Sequence, residues 1–120
     1  MSEELLGRLV LGVTMLVTGG LLWWMAGAAA DGRLRRNNLA GVRLPSTLAS
    51  DEAWLAGHRR AKRPTRIAAV CSLLAAVVCA LPVPEPVVYV TVLGAAVPIL
   101  GFVIYGAVVA SRAAREVPQD

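Results

Sequence analysis

The residues able to do chemistry in this chain are few, and they lie close together. His58 is the single histidine; Trp54 stands one helical turn before it, and Asp51 and Glu52 open the same stretch. A histidine with a carboxylate partner can exchange protons, but acid–base catalysis also needs a nucleophile and a pocket, and neither is evident here. A metal centre on His58 with Asp51 or Glu52 would be short of ligands. Arg43 sits between apolar neighbours, and two readings apply to it. It pairs with Asp51 or Glu52, or caps helix carbonyls; alternatively its guanidinium fork takes the oxygens of a lipid phosphate. Arg59, Arg60, Lys62 and Arg63 form a cluster suited to anionic lipid headgroups. Cys71 and Cys79 are eight residues apart. On one helix that is about 12 Å of rise, beyond disulfide reach, so both read as small apolar fillers. The chemistry expected is binding, with no catalysis, cofactor or metal.

The elements that must position these residues follow from apolar patterning. Of the 120 residues 57% are hydrophobic and 17% charged, with a mean hydropathy of +0.63. That composition excludes a soluble bundle, a disordered tail and an ordinary nucleic-acid-binding domain. Three runs carry no charge: residues 9–30, 67–84 and 87–110. A helix needs about 20 residues to cross the hydrocarbon core, and nothing alternates with the period of a membrane barrel strand. The expectation is an all-α integral membrane protein, a single membrane domain with spans at 9–30, 65–84 and 87–110 and Arg66 reaching back to the headgroups. In the connector, residues 31–64, Arg33 to Asn38 leave the first span, with asparagine available as a C-cap. Gly41-Val42-Arg43-Leu44-Pro45 should be extended, because the residue before proline avoids the helical region. Ser50 reads as an N-cap with Asp51 and Glu52 in the first turn, opening a short helix that ends near Lys62 at the break expected from Pro64. Trp54, His58 and Ala61 share one face of it, and the helix is expected at the inner membrane surface with Trp54 dipping into the bilayer.

Orientation follows from the basic residues. Residues 31–66 hold nine basic residues against Asp31, Asp51 and Glu52, a net of +6, and Arg112 and Arg115 follow the third span. The turn between the second and third spans, Pro82 to Pro86, has no Lys or Arg. An outside N-terminus and a cytoplasmic C-terminus put eleven of the twelve basic residues inside, with Arg8 the exception. The basic balance is therefore a topology signal, and no nucleic-acid partner is expected. Ala28-Ala29-Ala30 has the small residues of a signal-peptidase site, but the run is long, Glu3 and Glu4 precede it, and cleavage would require export of the basic segment, so a retained span is expected.

Gly12, Gly19 and Ala26 recur every seven residues, and Gly94 and Gly101 share that spacing. Such stripes let a second backbone approach closely, either within the three-helix bundle or at a homo-oligomer seam. Pro98 should kink the third span without breaking it. Tyr89 and Tyr105, and Trp23 with Trp24, sit where aromatic rings meet headgroups. The charge-free runs offer only Thr14, Thr18, Ser72 and Thr91 as polar waypoints, which argues against ion-coupled transport by this chain alone.

The connector resembles the SdpI family of bacterial membrane proteins. The matching features are Asn38, Gly41-Val42-Arg43, Pro45, Thr47-Leu48, Ser50-Asp51, Trp54 and His58-Arg59, flanked by two apolar helices. Ser46 departs from the aromatic residue many members carry, and Arg60 to Arg63 replaces a glycine-containing stretch. The chain resembles a short, three-helix form of the family. The resemblance implies a bacterial inner-membrane protein that acts by binding, with Asn38, Gly41, Arg43, Pro45, Thr47, Trp54 and His58 as its binding segment. The partners it implies are a membrane-active peptide toxin in immunity, or a cytoplasmic repressor in membrane-linked signalling. A structural subunit of a larger membrane complex is the alternative.

Overall fold

A computed structural model describes residues 2–118 of the chain. These form four helices, α1 (Glu3–Ala30), α2 (Pro45–Leu48), α3 (Asp51–Ala80) and α4 (Glu85–Arg115), with no strand among the described residues. Three of them are long and apolar enough to cross a membrane. α3 lies in the middle and packs along both α1 and α4, which barely touch each other.

The middle position explains the composition of α3. Its buried residues include Ala53, Gly57, Ala61, Ala68, Ala69, Ser72 and Ala75, small side chains that let two neighbours approach from opposite sides. The glycine stripe of α1 meets this surface. A Cβ on Gly12 would stand 3.2 Å from the Cβ of Cys79, and one on Gly19 only 2.7 Å from Leu73 Cγ and 3.0 Å from the carbonyl oxygen of Ala69. Ser72 Oγ, fully buried, donates to the carbonyl of Met15 at 2.7 Å and ties α3 to α1. Gly94 and Gly101 of α4 face open space. The outer faces of α1 and α4 expose large apolar side chains, among them Val10, Leu16, Val90, Leu93, Val97 and Leu100. Their arrangement on the outside of a thin bundle is that of a protein solvated by lipid.

The break expected at Pro64 does not occur. Ser50 caps the helix as expected, accepting from the Ala53 N–H at 3.0 Å, but α3 then runs through Pro64 to Ala80. The proline removes one donor from the ladder. Its ring is buried against α4, where a Cβ on Gly106 would lie 3.6 Å from Pro64 Cγ, and this packing holds the helix through the gap. The short helix within the connector is α2, begun by Pro45 at its first position. α3 stops four residues before the expected end at Pro84, because Pro82 and Pro84 cannot continue its ladder. α1 ends at Ala30, with Gly32 at φ +82° and the Leu34 N–H bonded to the Ala28 carbonyl at 2.9 Å. Glycine, not asparagine, therefore terminates it.

Arg8, the basic residue on the other side from the rest, has a local task. Its guanidinium donates to the carbonyls of Leu81, at 3.0 Å, and of Val83. It thereby satisfies carbonyl groups that follow the end of α3, with Glu4 3.6 Å away on the preceding turn.

Candidate functional site: a connector folded over the start of α3

The start of α3 presents Trp54, Gly57, His58 and Ala61 on one face, all buried. Residues 33–48 cover that face. Trp54 is 2% exposed and its indole N–H donates to the carbonyl of Leu34 at 3.0 Å. The expectation that Trp54 dips into the bilayer is thus overturned. The connector supplies both an apolar cover and an acceptor for its single polar atom, so the ring is buried in protein. His58 stacks beside it, with ring centroids 4.1 Å apart.

Both nitrogens of His58 are engaged. The Val42 N–H donates to Nε2 at 2.8 Å, which fixes that nitrogen as the unprotonated one, and Nδ1 donates to the Trp54 carbonyl at 2.7 Å. The ring is 4% exposed. Burial penalises the imidazolium and lowers the pKa from its ordinary value, while the bond to the Trp54 carbonyl works in the opposite direction. A neutral imidazole here serves as a two-ended brace between helix and connector, and leaves no lone pair for a metal or a substrate proton.

Gly41 makes this brace possible. Its φ is +100°, and a Cβ there would lie 2.8 Å from His58 Nε2 and 2.8 Å from the Trp54 ring. Only glycine satisfies both the backbone conformation and the close approach. Thr47, also fully buried, closes the next turn: its hydroxyl donates toward the carbonyls of Val42 (2.8 Å) and Leu44 (3.0 Å) and accepts from the Leu44 N–H at 2.9 Å. A Cβ on Gly57 would stand 3.0 Å from both Thr47 Cγ2 and the Ala110 carbonyl oxygen, so α3, α4 and the connector meet at that glycine. Ser46 Oγ lies 3.0 Å from Ser111 Oγ and joins α2 to α4.

Gly41, Thr47, Trp54 and His58 are therefore brought together, and Pro45 starts the helix that carries Thr47. Arg43 and Asn38 are not part of this interior. Arg43 is exposed and forms no ion pair among the described residues. Of the two carboxylates expected as its partners, Asp51 is taken by Arg36, whose Nε lies 3.3 Å from Asp51 Oδ1 and whose Nη1 donates to the Leu48 carbonyl at 3.0 Å, and Glu52 forms no ion pair among the described residues. Asn38 is exposed, and the neighbouring Asn37 does the structural work. Its Oδ1 accepts from the N–H groups of Leu39 and Ala40, both at 2.8 Å, and its Nδ2 donates to the Arg35 carbonyl at 2.6 Å. An asparagine two and three residues before unpaired N–H groups is the signal that identifies this turn; nothing in the residue order marks Arg36 over Arg43 as the partner of Asp51. Of the basic cluster, Arg59, Lys62 and Arg63 line a groove beside α1, while Arg60 is absent from that groove and borders, with Arg59, a second one near Ala113 and Glu116.

Beneath the connector a void of about 210 Å³ is bounded by Leu22 and Met25 of α1, Val42, His58 and Thr65, and Val103 of α4. It falls below the ~300–1,000 Å³ of ordinary small-molecule sites.

No curated protein and no solved structure matches this chain. A family model does, that of the SdpI/YfhL protein family over residues 33–106, more than half of the chain, running from the start of the connector through α3 and most of α4. The chain is a membrane protein, with three helices among the described residues long and apolar enough to span, and it belongs to the SdpI/YfhL protein family.

Proposed function

We propose that this protein acts by binding, without catalysis, through the connector presented at the cytoplasmic side of a bacterial inner membrane. Its N-terminus lies outside and its C-terminus inside. The role is that of an immunity or signalling protein whose ligand is a membrane-active peptide or a cytoplasmic regulator. One observation carries the reading: the buried polar groups of the connector are spent on holding its own backbone, and Arg43 is left exposed and unpaired among the described residues. A rigid frame that presents a free guanidinium is the arrangement of a recognition surface. The engagement of both His58 nitrogens favours binding over proton-transfer chemistry.

Crosslinking in cells from position 43, together with an Arg43→Ala variant, tests it. Arg43→Ala should insert and fold normally, lose the captured partner and fail to complement a deletion strain. Full complementation by Arg43→Ala would overturn the proposal.

A second reading, an accessory subunit of a larger membrane complex, draws on α4. Among the described residues nothing lies within 4 Å of a Cβ built on Gly94 or Gly101, so their side of the helix is open to another transmembrane helix. Copurification of a stoichiometric partner, lost on Gly94→Leu but kept on Arg43→Ala, would select this reading over the first.

A further inference from the structure

Arg59, Lys62, Arg63, Arg66, Ile67 and Val70 follow one another at helical spacing along a single stripe of α3, and with Trp23 of α1 they line an open groove of about 540 Å³. Between Arg59 and Val70, about 16 Å of helix, the lining changes from four cations to exposed apolar side chains. Among the described residues no carboxylate lines the groove. The ion pairs among the described residues are Arg8–Glu4, Arg33–Asp31 and Arg36–Asp51, so all four cations lack an acidic partner there.

Arg66 is the most constrained of the four. Its guanidinium carbon lies 4.3 Å from the centroid of the Trp23 ring, and a Cβ on Gly27 would come within 2.5 Å of its Nη2. Its Nε is shut off from solvent and has no hydrogen-bond partner. Aromatic stacking and the glycine gap thus set the position of this cation, with no anion from the described residues to complete it. An arginine held by its carbon face with its donors unmet is poised for an oxyanion, and phosphate oxygens match the guanidinium fork.

The geometry points to a binding site for an anionic glycerophospholipid in this groove, the phosphate among Lys62, Arg63 and Arg66 and an acyl chain along Ile67 and Val70. A soluble phosphate would use the cations and leave the apolar floor uncovered; a lipid covers both. The site is more specific than a diffuse basic surface, because it includes Arg66 and excludes Arg60, which faces the α4 side. It rests on the membrane character of the chain, and on neither its orientation nor the role of Arg43.

Native mass spectrometry of the full chain in a neutral detergent, titrated with phosphatidylglycerol or phosphatidylcholine, tests it independently of topology. Phosphatidylglycerol should bind in preference, with one tight site. Arg66→Gln and Lys62→Gln should each weaken that site about tenfold, Arg60→Gln should leave it unchanged, and millimolar inorganic phosphate should not displace the lipid. Arg66→Lys, which keeps the charge and loses the fork, provides a fold-preserving check and should bind at an intermediate level. Equal binding of the two lipids, equal effects of Arg66→Gln and Arg60→Gln, or displacement by inorganic phosphate would each overturn the assignment.

Discussion

Replacing Gly41 by alanine should unfasten the connector while leaving the spanning helices assembled. The backbone at Gly41 has φ +100°, a region that costs an L-residue about 1–2 kcal/mol. The new methyl would lie 2.8 Å from His58 Nε2 and from the Trp54 ring. Relief of that overlap must lengthen the Val42–His58 bond, whose loss removes about 1 kcal/mol. Together these lower the free energy of opening the connector by about 2–3 kcal/mol, a factor of order 100 in its open population. The Val42 amide reports it directly, because its N–H donates to His58 and its hydrogen exchange requires the brace to open. In micelles the Val42 amide should exchange about 100-fold faster in Gly41→Ala, with amides in the middle of α4 unchanged. Gly32→Ala separates the two contributions: Gly32 has φ +82° with nothing near its Cβ position, so it should show the conformational cost alone, confined to the end of α1. Unchanged exchange at Val42 in Gly41→Ala would refute the brace.

The same brace predicts a pH dependence. The folded pKa of His58 is depressed by burial, so the opened connector binds the proton more readily. The stability it contributes is present above the ordinary histidine value of about 6.5 and is lost as pH falls below it toward the folded pKa. The protection factor of the Val42 amide, its exchange compared with an unprotected peptide at the same pH, should fall on acidification in the wild-type protein and lose that dependence in His58→Gln. Asn37→Ala should destabilise the connector by about 1–2 kcal/mol by orphaning two N–H groups, and Asn38→Ala by less than about 0.5 kcal/mol; thermal unfolding followed by tryptophan fluorescence distinguishes them. Gly19→Leu should force α1 off α3 and lower the melting temperature in detergent, because Leu73 and the Ala69 carbonyl occupy the space. Gly94→Leu should leave the monomer's melting temperature unchanged, and a drop there would show that α4 packs differently.

The spans were legible in the residue order because lipid solvation imposes a length and a composition on any helix that crosses it. The sharing of one face by Trp54, His58 and Ala61 was legible for a similar reason, since helical periodicity fixes which residues align. What covers that face was not. Periodicity cannot say that Gly41 closes on His58, or that the Trp54 indole meets the Leu34 carbonyl and not headgroups, since both contacts join segments with no common repeat. Pro64 shows the limit of local rules: its missing donor predicts a break, and burial against α4 near Gly106 overrides it. Charge and proximity in the residue order offer Asp51 or Glu52 to Arg43, but the turn built by Asn37 brings Arg36 to Asp51. Both arginines had the right charge, and only the fold of the connector decided between them.

The proposed mechanism requires the connector to face the cytoplasm. Leu39, 94% exposed at its tip, is the place to ask. A Leu39→Cys variant in a background with Cys71 and Cys79 replaced by alanine should resist a membrane-impermeant maleimide in intact cells and react fully once the inner membrane is permeabilised. Complete labelling in intact cells would place the connector outside and contradict the account.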